Sequence, residues 1–527
     1  MKRFLWLGFV LFVYAICSGC GDTYRPIIIP NPPTFPNPKA AHTVVAINDN
    51  GTAPHGSAMV IDVSGDADVS VADCTGPLCI GAAPVHAVQQ TANQMLVVNQ
   101  SDSISKVNFS GVTMSVTTTI DLPTNSAPNF VAVAPLDTTA YVTLPNLNAV
   151  GVVNTVSSNI VATIPVGSNP YALAVTPDKS KLYVANQGNN KVSGFNTVDR
   201  SQRVGSPAST TSPPIWLVAR SDNQRVYVLE TNGTLAWLDT TSTAGPDALA
   251  ETAISVPSAT TMTYDSNLNR LYIPGGQQMQ IVDVSQSQPQ LLATISIPSF
   301  ALLPSGSSAP AIATAAAALP DGSRAYVASF AVLPSQFSIS AVSGDGTTAT
   351  YAYTLTAGHD LTPGVTVTVT GTGSGFDGTF LVGAVVSGTT ACPGTCFQAP
   401  NTTSGSGTLG SGTGSNIFPQ VTVVDVSSNT IRTTVAIPGF PDATDSSTPR
   451  YLAPVCANTR FRMMMAAGGD SSRAYLSSCD GGNVSIIDTS NDTYIENLPA
   501  PASNSRPPIP PNPLNPPQNP VFLLAGP

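Results

Sequence analysis

One type of segment recurs along most of the 527-residue chain, and this repetition constrains the fold more than any other feature. Residues 169–202, NPYALAVTPDKSKLYVANQGNNKVSGFNTVDRSQ, show one copy: two apolar runs around a charged turn, then a polar loop and a third run. The copies align on Val97, Tyr141, Tyr183, Tyr227, Tyr272, Tyr326 and Tyr475, with spacings of 42 to 54 residues and one longer gap. Short apolar runs separated by turn residues predict four short β-strands per copy.

Repeats of this length with four strands each are typical of propeller blades. A single four-stranded sheet buries neither of its faces, whereas sheets stacked in a ring cover both. The copies resemble YVTN-type β-propeller repeats, named after a strand that reads LYVAN at residues 182–186 here. The resemblance covers most of residues 85–500 and implies an all-β fold, a seven-bladed β-propeller with four-stranded blades.

Ring closure requires a strand borrowed across the chain ends. The sequence offers HTVVAIND at residues 42–49 and VFLLAG at residues 521–526 as candidates. Of these two, we expect the N-terminal segment to close the ring.

An insertion of some eighty residues interrupts the sixth repeat, after AYVASF and before QVTVVDV. Alternating Thr and Val with Gly-rich turns predicts a small β-sandwich or barrel module over residues 336–416. Its last part, TTSGSGTLGSGTGS at residues 402–415, has the composition of a flexible tether. The propeller would then comprise residues 42–335 and 417–500, and the insertion would project from the face that carries the loops between blades.

The N-terminus has the order of an export signal, with Lys2 and Arg3 before an apolar run and small residues. Residues 1–20 are therefore predicted to be a signal peptide. Its CSGC end resembles a bacterial lipobox, which implies cleavage and lipidation at Cys20; Cys17 stands where the family usually has Leu, so a plain secretory signal or an uncleaved anchor remains an alternative. Residues 21–41 and 501–527 are Pro-rich and predict an extended tether and a C-terminal tail.

The remaining cysteines are even in number, which in an exported protein predicts disulfides. CTGPLC and CPGTC suggest short-loop bridges between Cys74 and Cys79 and between Cys392 and Cys396, leaving Cys456 to pair with Cys479. A zinc site using Cys74, Cys79 and His86 or His55 is the alternative, but these spacings match no common zinc pattern. We expect no metal and no cofactor.

The charge content limits the classes of partner. Only 9% of residues are charged, the formal net charge is −10, and Lys and Arg form no cluster beyond the first three residues. Nucleic acid is therefore not an expected partner. A membrane, reached through the lipid anchor, is an expected partner.

The recurring polar residues could bind metal or act in catalysis, or they could stabilise turns. One series, between the first two strands of a blade, comprises Asp137, Asp178, Asp222, Asp265, Asp321 and Asp470; a second, after the third strand, comprises Asn108, Asn154, Asn196, Asp239, Asp283, Asp425 and Asp488. A ring of carboxylates could bind metal or transfer protons, but such residues more commonly bond their own turn backbone. The aligned tyrosines, Trp216 and Trp237 are interpreted as blade packing rather than ligand stacking. The four histidines, His42, His55, His86 and His359, are predicted to lie outside the core strands of the repeats, and no catalytic motif is recognisable, so we expect no enzyme.

Loops between the second and third strands present amides, which suit hydrogen bonding to a neutral polar partner rather than proton transfer. The candidate partner-binding residues are Asn146, Asn148, Asn186, Gln187, Asn189, Asn190, Asn232 and Gln277. The predicted function is a binding or scaffold protein of the bacterial cell envelope, periplasmic or at the cell surface, for a protein, peptide or glycan. The alternatives are a structural component resembling surface-layer repeats and a propeller hydrolase resembling lactonases.

Overall fold

The computed structural model describes residues 43–525, except 52, 63–66, 72–78, 92–93, 111–112, 135, 244, 302–307, 359, 362, 364, 374, 391, 438–455, 457–460 and 504–514. The predicted signal peptide, Cys20, the Pro-rich tether and most of the C-terminal Pro-rich run lie outside the described residues. Within them the protein is all-β, with two short 3-10 turns at Pro145–Leu147 and Gln187–Asn189. No described helix has the length and apolarity that a membrane span requires.

The first strands of the chain lie in one antiparallel sheet. They are β1 (Thr43–Asp49), β2 (His55–Asp62), β3 (Ala67–Val71) and the short β4 (Ile80–Gly81), which pairs with the start of β2.

Seven four-stranded blades follow, one for each predicted repeat. Blade 1 contains β5 (Pro84–Thr91), β6 (Gln94–Asn99), β7 (Ser103–Ser110) and β8 (Thr113–Asp121). Blade 2 contains β9 (Val131–Val133), β10 (Thr139–Leu144), β11 (Ala149–Asn154) and β12 (Asn159–Pro165). Blade 3 contains β13 (Pro170–Val175), β14 (Lys181–Asn186), β15 (Lys191–Asn196) and β16 (Ala208–Ser209).

Blades 4 and 5 repeat this antiparallel order. Blade 4 contains β17 (Pro214–Ala219), β18 (Arg225–Glu230), β19 (Thr234–Asp239) and β20 (Leu249–Ser255). Blade 5 contains β21 (Thr263–Asp265), β22 (Arg270–Gly275), β23 (Gln278–Asp283) and β24 (Gln290–Ser296). A small hairpin, β25 (Phe300–Ala301) with β26 (Ser308–Ala309), follows blade 5.

Blade 6 carries the insertion between its second and third strands. Its strands are β27 (Ile312–Ala318), β28 (Arg324–Asp345), β35 (Gly410–Asp425) and β36 (Thr430–Ala436). The insertion adds β29 (Thr348–Gly358), β30 (Thr366–Thr370), β31 (Gly378–Leu381), β32 (Ala384–Thr389), β33 (Cys392–Pro400) and β34 (Ser404–Gly407). Blade 7 contains β37 (Met463–Ala467), β38 (Arg473–Ser478), β39 (Asn483–Asp488) and β40 (Thr493–Pro499), and the last strand is β41 (Asn519–Ala525).

The two chain ends close the ring together. β41 pairs antiparallel with β1, from Val44 opposite Ala525 to Asp49 opposite Asn519. Both candidate closing segments are thus used, and they complete no repeat blade but form a sheet of their own, β3-β2-β1-β41, between blades 7 and 1. We call it the closing sheet. It shares one hydrophobic core with both neighbours, as Val44, Met95 of blade 1 and Tyr475 of blade 7 show.

The inserted sheet continues blade 6 instead of forming a separate body. β28 and β35 pair without interruption from Arg324 opposite Asp425 to Ile339 opposite Gly410. The predicted tether at residues 402–415 is therefore largely strand, in β34 and β35. The glycine at position 412 is explained by packing and not by flexibility. A Cβ at Gly412 would lie 2.4 Å from the Phe337 ring, so glycine is required where this strand crosses an aromatic core. The strands β31-β30-β35-β28-β29-β33-β32 curl around that core as a half-barrel, in agreement with the predicted β module.

The aligned aromatics are packing residues. Tyr183, Tyr227, Tyr272, Tyr326 and Tyr475 are among the largest fully buried side chains. The Tyr183 hydroxyl donates a hydrogen bond to Asp247 of blade 4, and the Tyr326 hydroxyl donates one to Asp492 of blade 7. Each of these two tyrosines therefore joins its blade to the next one.

Candidate functional site

One face of the propeller carries the loops between the second and third strands of each blade and the connections between blades. We call it the loop face, and the opposite end the turn face. Backbone hydrogen bonds join the two kinds of loop: Gln187 N donates to Asn169 O at 3.0 Å, and Thr231 N donates to Pro213 O at 2.9 Å. The ribbon of β28 and β35 leaves blade 6 on the loop face, because it extends the second and third strands of that blade.

Seven of the eight predicted amide residues reach the surface of the loop face. Asn146, Asn148, Asn189, Asn232 and Gln277 are exposed, while Gln187 and Asn190 are half-buried. Asn186 differs, since its side chain is fully buried beneath Gly167, where a Cβ would lie 2.7 Å from the Asn186 side chain. The asparagine of the repeat motif is thus a packing residue in this blade.

Several of these amides also shape the loops. Asn148 and Asn190 have left-handed backbones, with φ of 49° and 55°, which Asn tolerates better than most residues. The Asn148 side chain accepts a hydrogen bond from Asn169 N at 3.0 Å, and the Asn169 side chain donates one to Gln187 Oε1 at 3.1 Å. Part of the amide pattern therefore serves the fold, and Asn146, Asn189, Asn232 and Gln277 are the other exposed candidates.

Asp102, which belongs to neither recurring polar series, organises one connection on the loop face. Its carboxylate accepts hydrogen bonds from Asn125 N, Ser126 N and Ala127 N at 2.6 to 3.1 Å, and from the Ser126 hydroxyl. Partial burial raises its pKa, but these bonds together lower it below the ordinary value. Asp102 thereby fixes the connection between blades 1 and 2.

Two of the three glutamates of the chain meet on the loop face of blade 4. Glu230 is fully buried, and its Oε2 accepts from Ser212 N at 2.7 Å and from the Thr211 hydroxyl at 2.9 Å. Glu251 is exposed and accepts from Thr211 N at 3.0 Å. Burial raises the pKa of Glu230; the bonds from Thr211 and Ser212 lower it, and the charge of Glu251 adds to the rise, so the net pKa is raised.

Aromatic side chains close the loop-face end of the central channel. Trp216 of blade 4 packs against Phe130, next to blade 2, with ring centroids 5.4 Å apart, and against Phe461, next to blade 7, at 6.2 Å. Phe522 of β41 lies 5.3 Å from Phe461. Blades 2, 4 and 7 are not neighbours, so these side chains can meet only near the ring axis.

His86 belongs to the same cluster. Its ring stacks on Phe130 at 3.8 Å and lies 4.6 Å from Phe522. The prediction that all four histidines lie outside the repeat strands is therefore wrong for His86, which is buried in β5. We call the set of His86, Phe130, Trp216, Phe461 and Phe522 the aromatic plug.

The first recurring polar series makes turns on the turn face. Asp178, Asp321 and Asp470 each accept a hydrogen bond from the backbone N–H two residues later, at 2.8 to 3.0 Å. Asp137, Asp222 and Asp265 do the same at 2.9 to 3.1 Å. The turn interpretation of this series is confirmed.

The second series behaves in the same way at five of its seven positions. Asn154, Asp239, Asp283, Asp425 and Asp488 accept from the backbone N–H two residues later at 2.8 to 3.0 Å. Asn196 instead accepts from the Arg203 guanidinium, and Asn108 from the Gln94 amide. Among the described residues, no group of three or more His, Cys, Asp or Glu is arranged to hold a metal ion.

Two of the predicted disulfides are present. Cys392 bonds Cys396, and Cys456 bonds Cys479, with Cα atoms 6.0 and 5.5 Å apart. Cys79 is buried, and its predicted partner Cys74 lies outside the described residues, so the third bridge stays a prediction. Cys456 N also donates to Asp480, which pairs with Arg462 beside the aromatic plug.

Comparison with known proteins identifies similar folds but no family. No protein-family model matches the chain, and no curated protein sequence matches it. Apo AztD from Citrobacter koseri is similar with a TM-score of 0.49 and 10% identity, over 92% of this chain and 97% of that one. The periplasmic gluconolactonase PpgL from Pseudomonas aeruginosa has a TM-score of 0.39 and 14% identity, over 55% and 92%. Hydrazine synthase from Kuenenia stuttgartiensis has a TM-score of 0.41 and 11% identity, over 72% and 88%.

Proposed function

We propose that the protein is a binding or scaffold protein of the bacterial cell envelope, whose loop face contacts a protein, peptide or glycan. The aromatic plug is the observation that carries this proposal. Because rings from non-adjacent blades fill the loop-face end of the channel, a partner meets the surrounding loops instead of entering the axis. Those loops present uncharged amides, which favour a neutral polar partner.

Export and anchoring belong to the same proposal. Disulfides persist in oxidising compartments, so the bridges Cys392–Cys396 and Cys456–Cys479 support an exported protein. Lipidation at Cys20 would hold the propeller at a membrane. Mass spectrometry of the native N-terminus tests this: a diacylglyceryl adduct on Cys20 is expected, and an unmodified N-terminus elsewhere contradicts it.

Site-specific photo-crosslinking in intact cells tests the loop-face assignment. A photoreactive amino acid at Asn189, Asn232 or Gln277 should yield discrete adducts. The control is Val156, an exposed turn-face position at 73% relative accessibility, which should yield none. Equal adducts on both faces, or adducts on neither, would contradict the proposal.

The inserted sheet is proposed to act as a lid or second contact beside the loop face, the alternative being a surface insertion without a role. Leu333 lies directly opposite Asn416 in the ribbon, so an Asn-Gly turn can join them in place of residues 334–415. Loss of the crosslinked adducts in a variant with unchanged blade unfolding would support the contact role. Retention of all adducts would support the insertion without a role.

A hydrolase, the alternative that resembles lactonases, has one specific observation in its favour: Glu230, a buried carboxyl with a raised pKa, beside Glu251. Such pairs occur at sites of acid–base catalysis, although buried structural pairs shift in the same way. Hydrolysis of simple lactones that is abolished in Glu230→Gln and Glu251→Gln would favour this alternative.

A further inference from the structure

The outer face of the inserted sheet displays a two-dimensional array of uncharged polar side chains. One row runs across four strands through Thr379, Thr368, Thr413 and Gln336, which lie directly opposite one another in register. A second row runs through Thr370, Ser411, Ser338 and Thr354. All eight side chains are exposed. We call these two rows the hydroxyl face.

The fold sets the spacing of this array. Neighbouring strands are about 4.8 Å apart, and side chains two residues apart on a strand are about 6.7 Å apart. The Thr368 and Thr379 hydroxyls are 3.1 Å apart, so the groups of neighbouring strands align. The other face of the same strands holds Phe337, Tyr351, Val367 and Val369 in a buried core, which keeps the array in place.

A groove adjoins the hydroxyl face near the bulge in β28 between Ile339 and Ala341. It encloses about 440 Å3, within the roughly 300 to 1,000 Å3 typical of small-molecule sites. Its lining includes Ser340, Ser343, Thr350, Thr408, Leu409 and Cys396. Cys396 is bonded to Cys392 within the same strand, β33, which forms part of the groove wall.

Leu409 is unusual in this lining. Its side chain is 70% exposed, although it is apolar and lies at the groove. A sugar ring combines polar hydroxyls with apolar C–H surfaces, so one exposed leucine among hydroxyls complements it. A charged ligand would find no formal charge in the two rows or in the groove lining.

We propose that the hydroxyl face and its groove bind a neutral polysaccharide. Each Ser or Thr hydroxyl both donates and accepts hydrogen bonds, as each sugar hydroxyl does. A repeating chain laid along a row can form the same contact at successive strands, so individually weak bonds add along the chain. This site is separate from the amide loops of the propeller, so it is a second binding site beyond the proposed function, and it takes one class of ligand.

Affinity electrophoresis of the full-length protein tests the proposal. The gels contain hydroxyethylcellulose, dextran, mannan or barley β-glucan, with anionic polygalacturonate as the contrast. Retardation is expected in at least one neutral gel and should persist at about 1 M salt, where charge interactions are screened beyond roughly 3 Å. Retardation in none of the four neutral gels, or only in the anionic gel at low salt, overturns the proposal.

Two matched sets of variants locate the binding. Ser338→Ala with Thr368→Val and Thr413→Val removes three hydroxyls while keeping strand-compatible shapes, and should weaken binding by about tenfold or more. The control set makes comparable changes at exposed strand positions of blades 1, 2 and 6 and consists of Thr119→Val, Thr163→Val and Thr434→Val. It should leave polysaccharide binding unchanged. Leu409→Asp should also weaken binding, whereas Val198→Asp, at an exposed apolar residue of blade 3, should not.

Other outcomes separate this inference from the proposed function. If the hydroxyl-face variants bind like the parent while Asn189→Ala with Asn232→Ala abolishes retardation, the glycan binds the loop face; the inference is then overturned and the proposed function stands. If the parent binds no polysaccharide but sedimentation shows a dimer that the hydroxyl-face variants abolish, the face is an interface between copies, which also overturns the inference. The crosslinking experiment decides the proposed function independently.

Discussion

The hydroxyl of Tyr183 in blade 3 donates a 2.8 Å hydrogen bond to Oδ2 of Asp247 in blade 4. Asp247 also pairs with Arg203, whose side chain is 1% exposed, so three polar groups share one buried junction between blades. Burial is the main cause that raises the Tyr183 pKa, and the Asp247 charge adds to the rise.

Substitutions of Tyr183 and of Asp247 should therefore lower the free energy of unfolding by different amounts. Tyr183→Phe should lower the free energy of unfolding by about 1 kcal/mol, since it deletes one hydrogen bond. Asp247→Ala should cost about 3 to 5 kcal/mol, because Arg203 remains buried without its counter-ion. Tyr227→Phe is the control: its hydroxyl donates a long 3.4 Å hydrogen bond to Val284 O and lies near the Arg220 guanidinium instead of a carboxylate, so urea denaturation should show a smaller loss. Equal losses for the two tyrosines would refute this account.

Glu230 should make stability depend on pH. Because its pKa is raised in the folded state, ionisation is less favourable there than in the unfolded chain, and stability falls as pH rises through the folded pKa. Glu230→Gln keeps an acceptor for Ser212 N and removes the buried charge. It should therefore stabilise the protein by roughly 1 kcal/mol above that pKa and flatten the pH profile of thermal unfolding. Glu251→Gln, the control, should leave most of the slope, since burial is the larger cause; an unchanged slope in Glu230→Gln would contradict the assignment.

The two disulfides should contribute unequally. The Cys456–Cys479 bridge spans 23 residues and the Cys392–Cys396 bridge spans 4. On the chain-entropy account, the longer loop gains about 3.5 kcal/mol and the shorter about 2 kcal/mol. Cys456→Ser with Cys479→Ser should thus lower the unfolding midpoint more than Cys392→Ser with Cys396→Ser. The reverse order would show that strain or residual structure outweighs loop entropy.

Gly412 should tolerate no side chain. A Cβ there would lie 2.4 Å from the Phe337 ring and 2.9 Å from the backbone oxygen of Thr368. Gly412→Ala should therefore destabilise the inserted sheet by about 1 to 3 kcal/mol and make its strands sensitive to protease before the blades. Gly394→Ala is the matched control, since a Cβ there meets nothing within 4 Å. Equal protease sensitivity of the two variants would count against a packed β35.

The blades were predictable from sequence because their signals are local. Strand alternation, the aligned tyrosines and the Asp turns each arise within one repeat, as the bonds of Asp178 and Asp321 to their own turns show. The bridge between Cys456 and Cys479 followed from an even cysteine count together with the predicted second strand of blade 7.

Features that join distant residues were not predictable in the same way. His86 and Trp216 belong to one plug only because the ring brings blades 1 and 4 to a common axis. Asp247 lies in an irregular turn that no repeat motif marks. The glycines of β35 suggested a flexible tether because composition does not reveal that Phe337 lies across from Gly412.

The pairing of β1 with β41 also sets the order in which the molecule can be completed. Residues 43–49 are synthesised before all seven blades but find their partner only when residues 519–525 follow, more than 450 residues later. Until then one edge of β1 is unpaired and the face of blade 7 that packs on the closing sheet is uncovered. An unpaired strand edge invites pairing with other chains. The fold therefore cannot be completed until the final strand has been made.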